Sequence, residues 1–71
     1  MDVKEVFSKN LCQAVKESDL NFAKLAKRIN VTKATMSMYA HAKALPSLET
    51  FLLICNALDV NADYLLGRKD Y

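Results

Sequence analysis

The sequence predicts an all-α domain of five helices, and three observations agree on this fold class. Apolar residues recur every three or four positions along most of the chain, which is the period of an amphipathic helix. Asp, Asn, Thr or Ser precedes each such segment, where its side chain can accept a hydrogen bond from the first helical turn. No segment alternates apolar and polar residues as a strand would. The length of 71 residues predicts one domain, residues 1–71.

The first helix is predicted to run from Asp2 to Glu17. Asp2 and Glu5 have the spacing of a capping arrangement, in which the two residues satisfy backbone donors of the first turn. The apolar residues of this segment fall on one helical stripe, which is expected to face the core: Val3, Val6, Phe7, Leu11, Ala14 and Val15.

Residues 21–41 are predicted to form two short helices joined by a tight corner. Asn21 caps the first helix, which runs from about Phe22 to Ile29, because its side chain can accept an N–H of the first turn. Asn30 follows, where a helix commonly ends on a residue in the left-handed conformation. Thr32 caps the second helix, residues 33–41. A helix, a short turn and a steeply angled second helix make a helix-turn-helix.

Two more helices are predicted after a loop at residues 43–46. Leu45 precedes a proline, which disfavours helical geometry there. Ser47 caps the fourth helix, which ends near Leu58, and Asn61 caps a short fifth helix through Leu66. Gly67 ends that helix, and the residues from 68 to 71 are expected to fray.

The third helix has two distinct faces at about 100° per residue. One face is predicted to point inward and carries Thr35, Met36, Tyr39 and Ala40. The other is predicted to point outward and carries Lys33, Ala34, Ser37, Met38 and His41.

Basic residues are concentrated around the predicted helix-turn-helix. The chain has a formal net charge of +2, yet residues 20–48 contain no acid and five basic residues, so this window is +5 and the rest is −3. A basic surface of this kind is typical of proteins that bind nucleic acid. The alternative is an ordinary solvated helix face.

The composition favours no catalytic, metal-binding or membrane-spanning role. Cys12 and Cys55 are far apart in sequence and are interpreted as small buried hydrophobic residues. His41 has no partner at a metal-ligand spacing, and no nucleophile–base or carboxylate pair is evident. We therefore expect no enzyme, no cofactor and no metal. The chain also lacks an apolar stretch of about 20 residues and a signal-peptide layout, so a cytoplasmic protein with no membrane association is expected.

The segment from Leu25 to Tyr39, LAKRINVTKATMSMY, resembles the helix-turn-helix of the lambda-repressor-like family, also called the Cro or XRE type. Three later segments resemble family motifs in the same order and at the family's spacing: LPSLET at residues 45–50, ALDV at 57–60 and YLLG at 64–67. The resemblance covers residues 3–67 and implies a five-helix domain that binds double-stranded DNA.

The resemblance also implies which residues face DNA, since the third helix of such domains enters the major groove. The base-reading positions match Thr32, Lys33, Ala34 and Met38, with Ser37 on the same face. A lysine at the position of Lys33 can donate to guanine O6 and N7. Phosphate contacts are expected from Asn21, Lys24, His41 and Lys43. Phe22 stands where most members carry a glutamine that touches phosphate.

The fourth helix is apolar nearly all round, which predicts a dimer. Phe51, Ile54, Cys55 and Leu58 share one stripe and should face the core. Leu53 points roughly 150° away and is expected to form a patch with Leu52 and Tyr64. By resemblance, helices four and five supply a two-fold contact, so we expect a homodimer through this patch. A stray exposed leucine is the alternative.

Two functions remain open from the sequence. The first is a sequence-specific DNA-binding transcriptional regulator, a repressor, that inserts residues 33–41 into the major groove as a homodimer. The second is a protein-interaction module on the same fold, an antitoxin or anti-repressor partner, with weak or no specific DNA reading. Its support is an apolar outward surface of Phe22, Met38, Ala40 and Ala42.

Overall fold

A computed structural model describes residues 2–68 of the protein. These residues form five α-helices, which confirms the predicted fold class: α1 (Val3–Glu17), α2 (Phe22–Arg28), α3 (Lys33–Ala40), α4 (Leu48–Leu58) and α5 (Ala62–Leu65). The sequence predicts that residues 68–71 fray. Of these, residues 69–71 lie outside the described part of the chain.

Capping side chains begin the helices at the predicted positions. The side chain accepts a hydrogen bond from a backbone N–H of the first turn at Asn21, Thr32, Ser47 and Asn61. The cap of α1 differs from its prediction, because the carboxylate of Asp2 accepts the N–H of Lys4 at 2.9 Å and makes no reciprocal bond with Glu5. The carbonyl oxygen of Asp2 instead accepts the Glu5 N–H at 3.1 Å.

Three helices end one residue earlier than predicted, because Ile29, His41 and Leu66 are the C-caps of α2, α3 and α5. At each of these ends the chain forms a Schellman arrangement, in which two N–H groups beyond the helix turn back onto carbonyls of its last turn. After α3, the N–H of Lys43 donates to the Met38 carbonyl at 2.9 Å. The third helix, predicted as 33–41, is therefore 33–40.

Each of these three turns, and the turn after α4, contains a residue with positive φ. The φ angles are 61° at Asn30, 60° at Ala42, 54° at Asp59 and 76° at Gly67. Asn30 and Gly67 tolerate this conformation, as the sequence predicts. Ala42 adopts it at a cost, because its Cβ crowds the following backbone.

The core lies where α1, α4 and α5 meet the helix-turn-helix of α2 and α3. Its buried apolar residues are Phe7, Leu11, Ala14, Val15, Leu25, Ala26, Ile29, Met36, Tyr39, Phe51, Ile54, Cys55, Leu58 and Leu65. The rings of Phe7 and Phe51 join α1 to α4, with centroids 5.9 Å apart and a tilt of 57°. The predicted inward stripe of α4, which ends at Leu58, is confirmed.

Two polar contacts fix α1 against its neighbours. The hydroxyl of Ser8 donates to the carbonyl oxygen of Ala40 at 2.6 Å, at the end of α3. The side-chain amide of Asn10 donates to the carbonyl oxygen of Tyr64 at 2.9 Å, in α5. The first bond joins α1 to the end of α3, and the second joins α1 to α5.

Candidate nucleic-acid interface

The outward face of α3 is exposed as predicted. Every residue assigned to it lies at the surface: Lys33, Ala34, Ser37, Met38 and His41. The opposite face anchors the helix, since Met36 and Tyr39 are buried in the core. Thr35 and Ala40, also predicted to point inward, are half-buried. The helix therefore presents short and flexible side chains outward from a fixed base.

Thr32 has a structural role that limits how it can read a base. Its hydroxyl oxygen accepts the backbone N–H of Thr35 at 3.1 Å, and the same hydroxyl donates to Thr35 Oγ1 at 3.0 Å. The hydroxyl is thus occupied within the first turn of α3. The methyl group of Thr32 remains as the part suited to the predicted contact with a thymine methyl.

The ring of His41 contacts Ser37 at the end of α3. The Nδ1 atom of His41 lies 2.8 Å from the carbonyl oxygen of Ser37 and 3.2 Å from its hydroxyl. A carbonyl oxygen only accepts hydrogen bonds, so Nδ1 carries the proton of the neutral ring and Nε2 is left without this partner. The ring is thereby held on the outward side of α3.

The start of α2 lies beside this face. The Oδ1 atom of Asn21 accepts the N–H of Lys24 at 2.8 Å, which leaves the amide NH₂ of Asn21 as a donor for a phosphate. Lys24 is exposed. Phe22 is half-buried and packs against the core, so its ring is shared between the interior and the surface.

The basic residues of this region are available to an external anion. The described residues 2–68 contain one ion pair, between Arg68 and Asp63 at 3.7 Å. None of the basic residues between positions 20 and 48 takes part in it. Lys43 is exposed immediately after α3, where its own N–H bonds to the helix and fixes its backbone. The basic residues of the predicted positive surface are therefore not neutralised by ion pairs among the described residues.

An open cavity of about 450 Å³ joins α1, α2 and α3 on this side of the molecule. It is lined by Cys12, Phe22, Ala23, Lys33, Met36, Ser37, Ala40 and His41. Four predicted DNA-facing residues thus meet in one cavity, whereas the other six lie outside its lining: Asn21, Lys24, Thr32, Ala34, Met38 and Lys43. Sequence reasoning missed Cys12 and Ala23 as surface-site residues, because only the tertiary packing brings α1 and α2 together here.

The prediction that both cysteines are buried is confirmed for Cys55 and wrong for Cys12. Cys55 is buried in the core, and burial raises the pKa of its thiol. Cys12 is only half-buried, and its Sγ lies 3.7 Å from the carbonyl oxygen of Ala40. Within residues 2–68, no three His, Cys, Asp or Glu side chains are grouped closely enough to hold a metal ion.

The patch predicted to form the dimer lies on α4 and α5, away from the cavity lining. Leu52 and Leu53 are 52% and 43% exposed, as predicted. Tyr64 is half-buried and packs on the core, so a smaller fraction of it is exposed than of either leucine. In the part of the chain that is described, no helix has the length and apolar character needed to span a membrane.

Comparisons with known proteins agree with this architecture. The helix-turn-helix family model matches residues 13–65. A relative from Bacillus subtilis (strain 168), the uncharacterized HTH-type transcriptional regulator YqaE, is 33% identical over 61 residues, which are 86% of this chain and 53% of the relative. The chain thus spans about half the length of that protein.

A solved structure of similar fold is the SOS-response transcriptional repressor LexA from Eubacterium rectale. It has a TM-score of 0.88 and 23% sequence identity, and the match covers 99% of this chain and 74% of that one. At this identity the likeness concerns the fold. With the family model, the motif order and the helix-turn-helix of α2 and α3 in agreement, the chain belongs to the lambda-repressor-like helix-turn-helix family of DNA-binding proteins.

Proposed function

We propose that this chain is a sequence-specific transcriptional regulator, a repressor, that binds its DNA operator in the cytoplasm as a homodimer. The observation that supports this proposal best is the exposed outward face of α3 within a surface of unneutralised basic residues. The B. subtilis relative is named as a transcriptional regulator, which agrees with the proposal.

In the proposed complex, α3 enters the major groove and Lys33 reads a base. An exposed lysine at the first position of the helix has the reach to donate to guanine O6 and N7. Ala34, with its small exposed side chain, allows close approach to a thymine methyl. Met38 is 46% exposed and can contribute only apolar contact.

Phosphate contacts position the domain without reading sequence. Their proposed donors are the amide of Asn21, the ammonium groups of Lys24 and Lys43, and the ring of His41. These groups flank the two ends of the α2–α3 unit, so together they would hold the helix in register along the groove. Ser37 and Phe22 complete the surface between them.

The proposed dimer uses Leu52, Leu53 and Tyr64. A two-fold contact through this patch would place the two copies of α3 about 34–36 Å apart, one DNA turn, on a two-part operator. The patch is small, so we expect association in the micromolar range, as is typical of interfaces below about 1,200 Å².

A salt titration of binding to duplex DNA tests the DNA-binding function. Four or five neutralised phosphates per monomer should give a log–log salt slope of roughly −4, or about −8 for a dimer. Lys43→Ala should make the slope less steep by about one. Lys16→Ala is the matched control, because Lys16 is an exposed lysine on α1 outside the basic window, and its slope should be unchanged. A slope near zero, or no duplex binding at low salt, contradicts the proposal.

The second candidate function, a protein-interaction module, depends on an apolar surface that is smaller than the sequence suggests. Met38 is well exposed, but Phe22, Ala40 and Ala42 are half-buried. Members of this family are generally regulators and not enzymes. If the folded chain does not bind duplex DNA in the salt titration, this second candidate is favoured.

A further inference from the structure

The cavity between α1, α2 and α3 has the size and lining of a small-molecule site. Its volume of about 450 Å³ falls within the roughly 300–1,000 Å³ range of ligand pockets. Phe22 and Met36 give it apolar surface from two different helices, and the thiol of Cys12 behaves as a further apolar group. Apolar walls with a few convergent polar groups are the usual composition of such sites.

The polar residues that line the cavity favour an anionic occupant. Lys33 belongs to the lining, and its ammonium group takes part in no ion pair among the described residues. Ser37 and His41 contribute a hydroxyl and a ring whose Nε2 is not used by their mutual contact. No acidic residue belongs to the lining. The cavity therefore combines apolar walls with a single positive charge at one side.

We propose that this cavity binds a small organic anion with an apolar aromatic or aliphatic body, and that its occupancy prevents α3 from engaging DNA. The apolar body would contact Phe22, Met36 and Ala40. The anionic group would pair with Lys33. The occupant would thus be an effector of the domain itself, bound at the surface where the operator is proposed to bind.

Competition with DNA follows from shared residues. Lys33, Ser37 and His41 line the cavity and also lie on the outward face of α3. An anion paired with Lys33 would neutralise the ammonium group proposed to read a guanine. This second half of the inference rests on the proposed function, whereas ligand binding itself does not and is tested first without DNA.

The first experiment uses the fluorescent probe 1-anilinonaphthalene-8-sulfonate, an aromatic body with one sulfonate. Titration into the ¹⁵N-labelled chain should give saturable amide shifts at Cys12, Ala23, Met36 and Ala40. The residues of α4 should not shift. Shifts confined to the exposed leucines of α4, or no saturable shift, would overturn the proposal.

The second experiment tests the role of charge. The neutral probe N-phenyl-1-naphthylamine has a similar body without the sulfonate, and it should bind about threefold more weakly, as expected for one exposed ion pair. Lys33→Ala should remove this preference while Lys43→Ala, which changes an exposed lysine outside the lining, should keep it. An unchanged preference in Lys33→Ala would show that the anion does not pair there.

The third experiment fills the cavity. Ala40→Leu should abolish the shifts because the larger side chain takes the space of the ligand body. Ala23→Leu narrows the cavity from the exposed side of α2 and provides a second variant if Ala40→Leu fails to fold by circular dichroism. Unaltered probe affinity in a folded filling variant would overturn the proposal.

The last experiment adds duplex DNA to the probe complex. DNA should displace the probe, and the probe should reduce DNA affinity by the same factor, since competition is reciprocal. If the probe binds at the cavity but DNA does not displace it, the proposed competition is wrong, whereas the proposed ligand site still stands. Failure of the chain to bind duplex DNA in the salt titration would instead refute the proposed function, which keeps the two failures distinguishable.

Discussion

The hydroxyl of Ser8 donates a 2.6 Å hydrogen bond to the carbonyl oxygen of Ala40 and so fastens α1 to the last turn of α3. The final carbonyls of a helix have no partner within the helix, and this bond satisfies one of them. Cys12, one turn along α1, places its Sγ 3.7 Å from the same oxygen. The end of the helix proposed to read DNA is therefore held by a helix that is not part of the α2–α3 unit.

Removal of this bond should destabilise the domain. Ser8→Ala should lower the free energy of unfolding by about 1 kcal/mol, because a largely buried bond is lost and the Ala40 carbonyl is left without its best partner. Urea denaturation gives the measurement. Ser37→Ala is the control for replacing a helical serine by alanine, since Ser37 is exposed and its hydroxyl contacts only the exposed ring of His41. Equal midpoints for the two variants would show that the Ser8 bond contributes little.

Lys33 and Lys43 should differ in what they contribute to DNA binding. Lys33→Ala should cost roughly 1–3 kcal/mol on the best operator and relax the preference at one base pair. Lys43→Ala should weaken binding to all sequences alike. Affinities for a library of single-base operator variants provide the measurement. If neither variant changes the base preference, Lys33 contacts only phosphate.

Ala42 should gain stability when replaced by glycine. Its φ of 60° crowds the Cβ atom, and glycine removes that strain at the expense of a more flexible unfolded chain. Ala42→Gly is expected to raise the free energy of unfolding by up to about 1 kcal/mol. Asn30→Gly is the matched control at φ 61°, and its gain should be smaller because asparagine tolerates this region. A lower free energy of unfolding in Ala42→Gly would contradict the interpretation that the backbone is strained at Ala42.

Leu53 is the best position at which to test the dimer. Leu53→Lys should keep the monomer fold by circular dichroism but abolish dimers in sedimentation, because a lysine on each copy would place two charges in a small apolar contact. Leu45→Lys is the control, since Leu45 has a similar exposure of 40% and lies outside the patch. If Leu53→Lys still forms dimers, the interface lies elsewhere.

The helix starts were predictable because they depend on local chemistry. Asn21, Thr32 and Ser47 accept hydrogen bonds from N–H groups three residues later, so the sequence around each cap contains the whole interaction. Helix periodicity likewise identified the buried stripe of α4. Three of the five ends were predicted one residue late, where a Schellman turn places the last predicted residue, such as His41, in the C-cap position.

The candidate site was predictable in part. The amphipathic pattern of α3 was enough to place Lys33 and Met38 at the surface, and their exposure confirms it. The coupling of Ser37 to His41 was not predicted, although the spacing of four residues is compatible with it. No pattern in the sequence predicted that Phe22 and Cys12 would line the same cavity.

The sequence by itself determined the helices, the left-handed position at Asn30 and the surface of α3, since each depends on residues within about one turn of one another. Only the tertiary structure decided the contacts between helices. A Cβ atom at Gly67 would overlap Val6, so glycine is required there by packing as well as by its φ of 76°. The Ser8 bond to Ala40 spans 32 positions, and its formation depends on how α1 crosses α3. Such crossings follow from the fit of many side chains at once, which no local pattern contains.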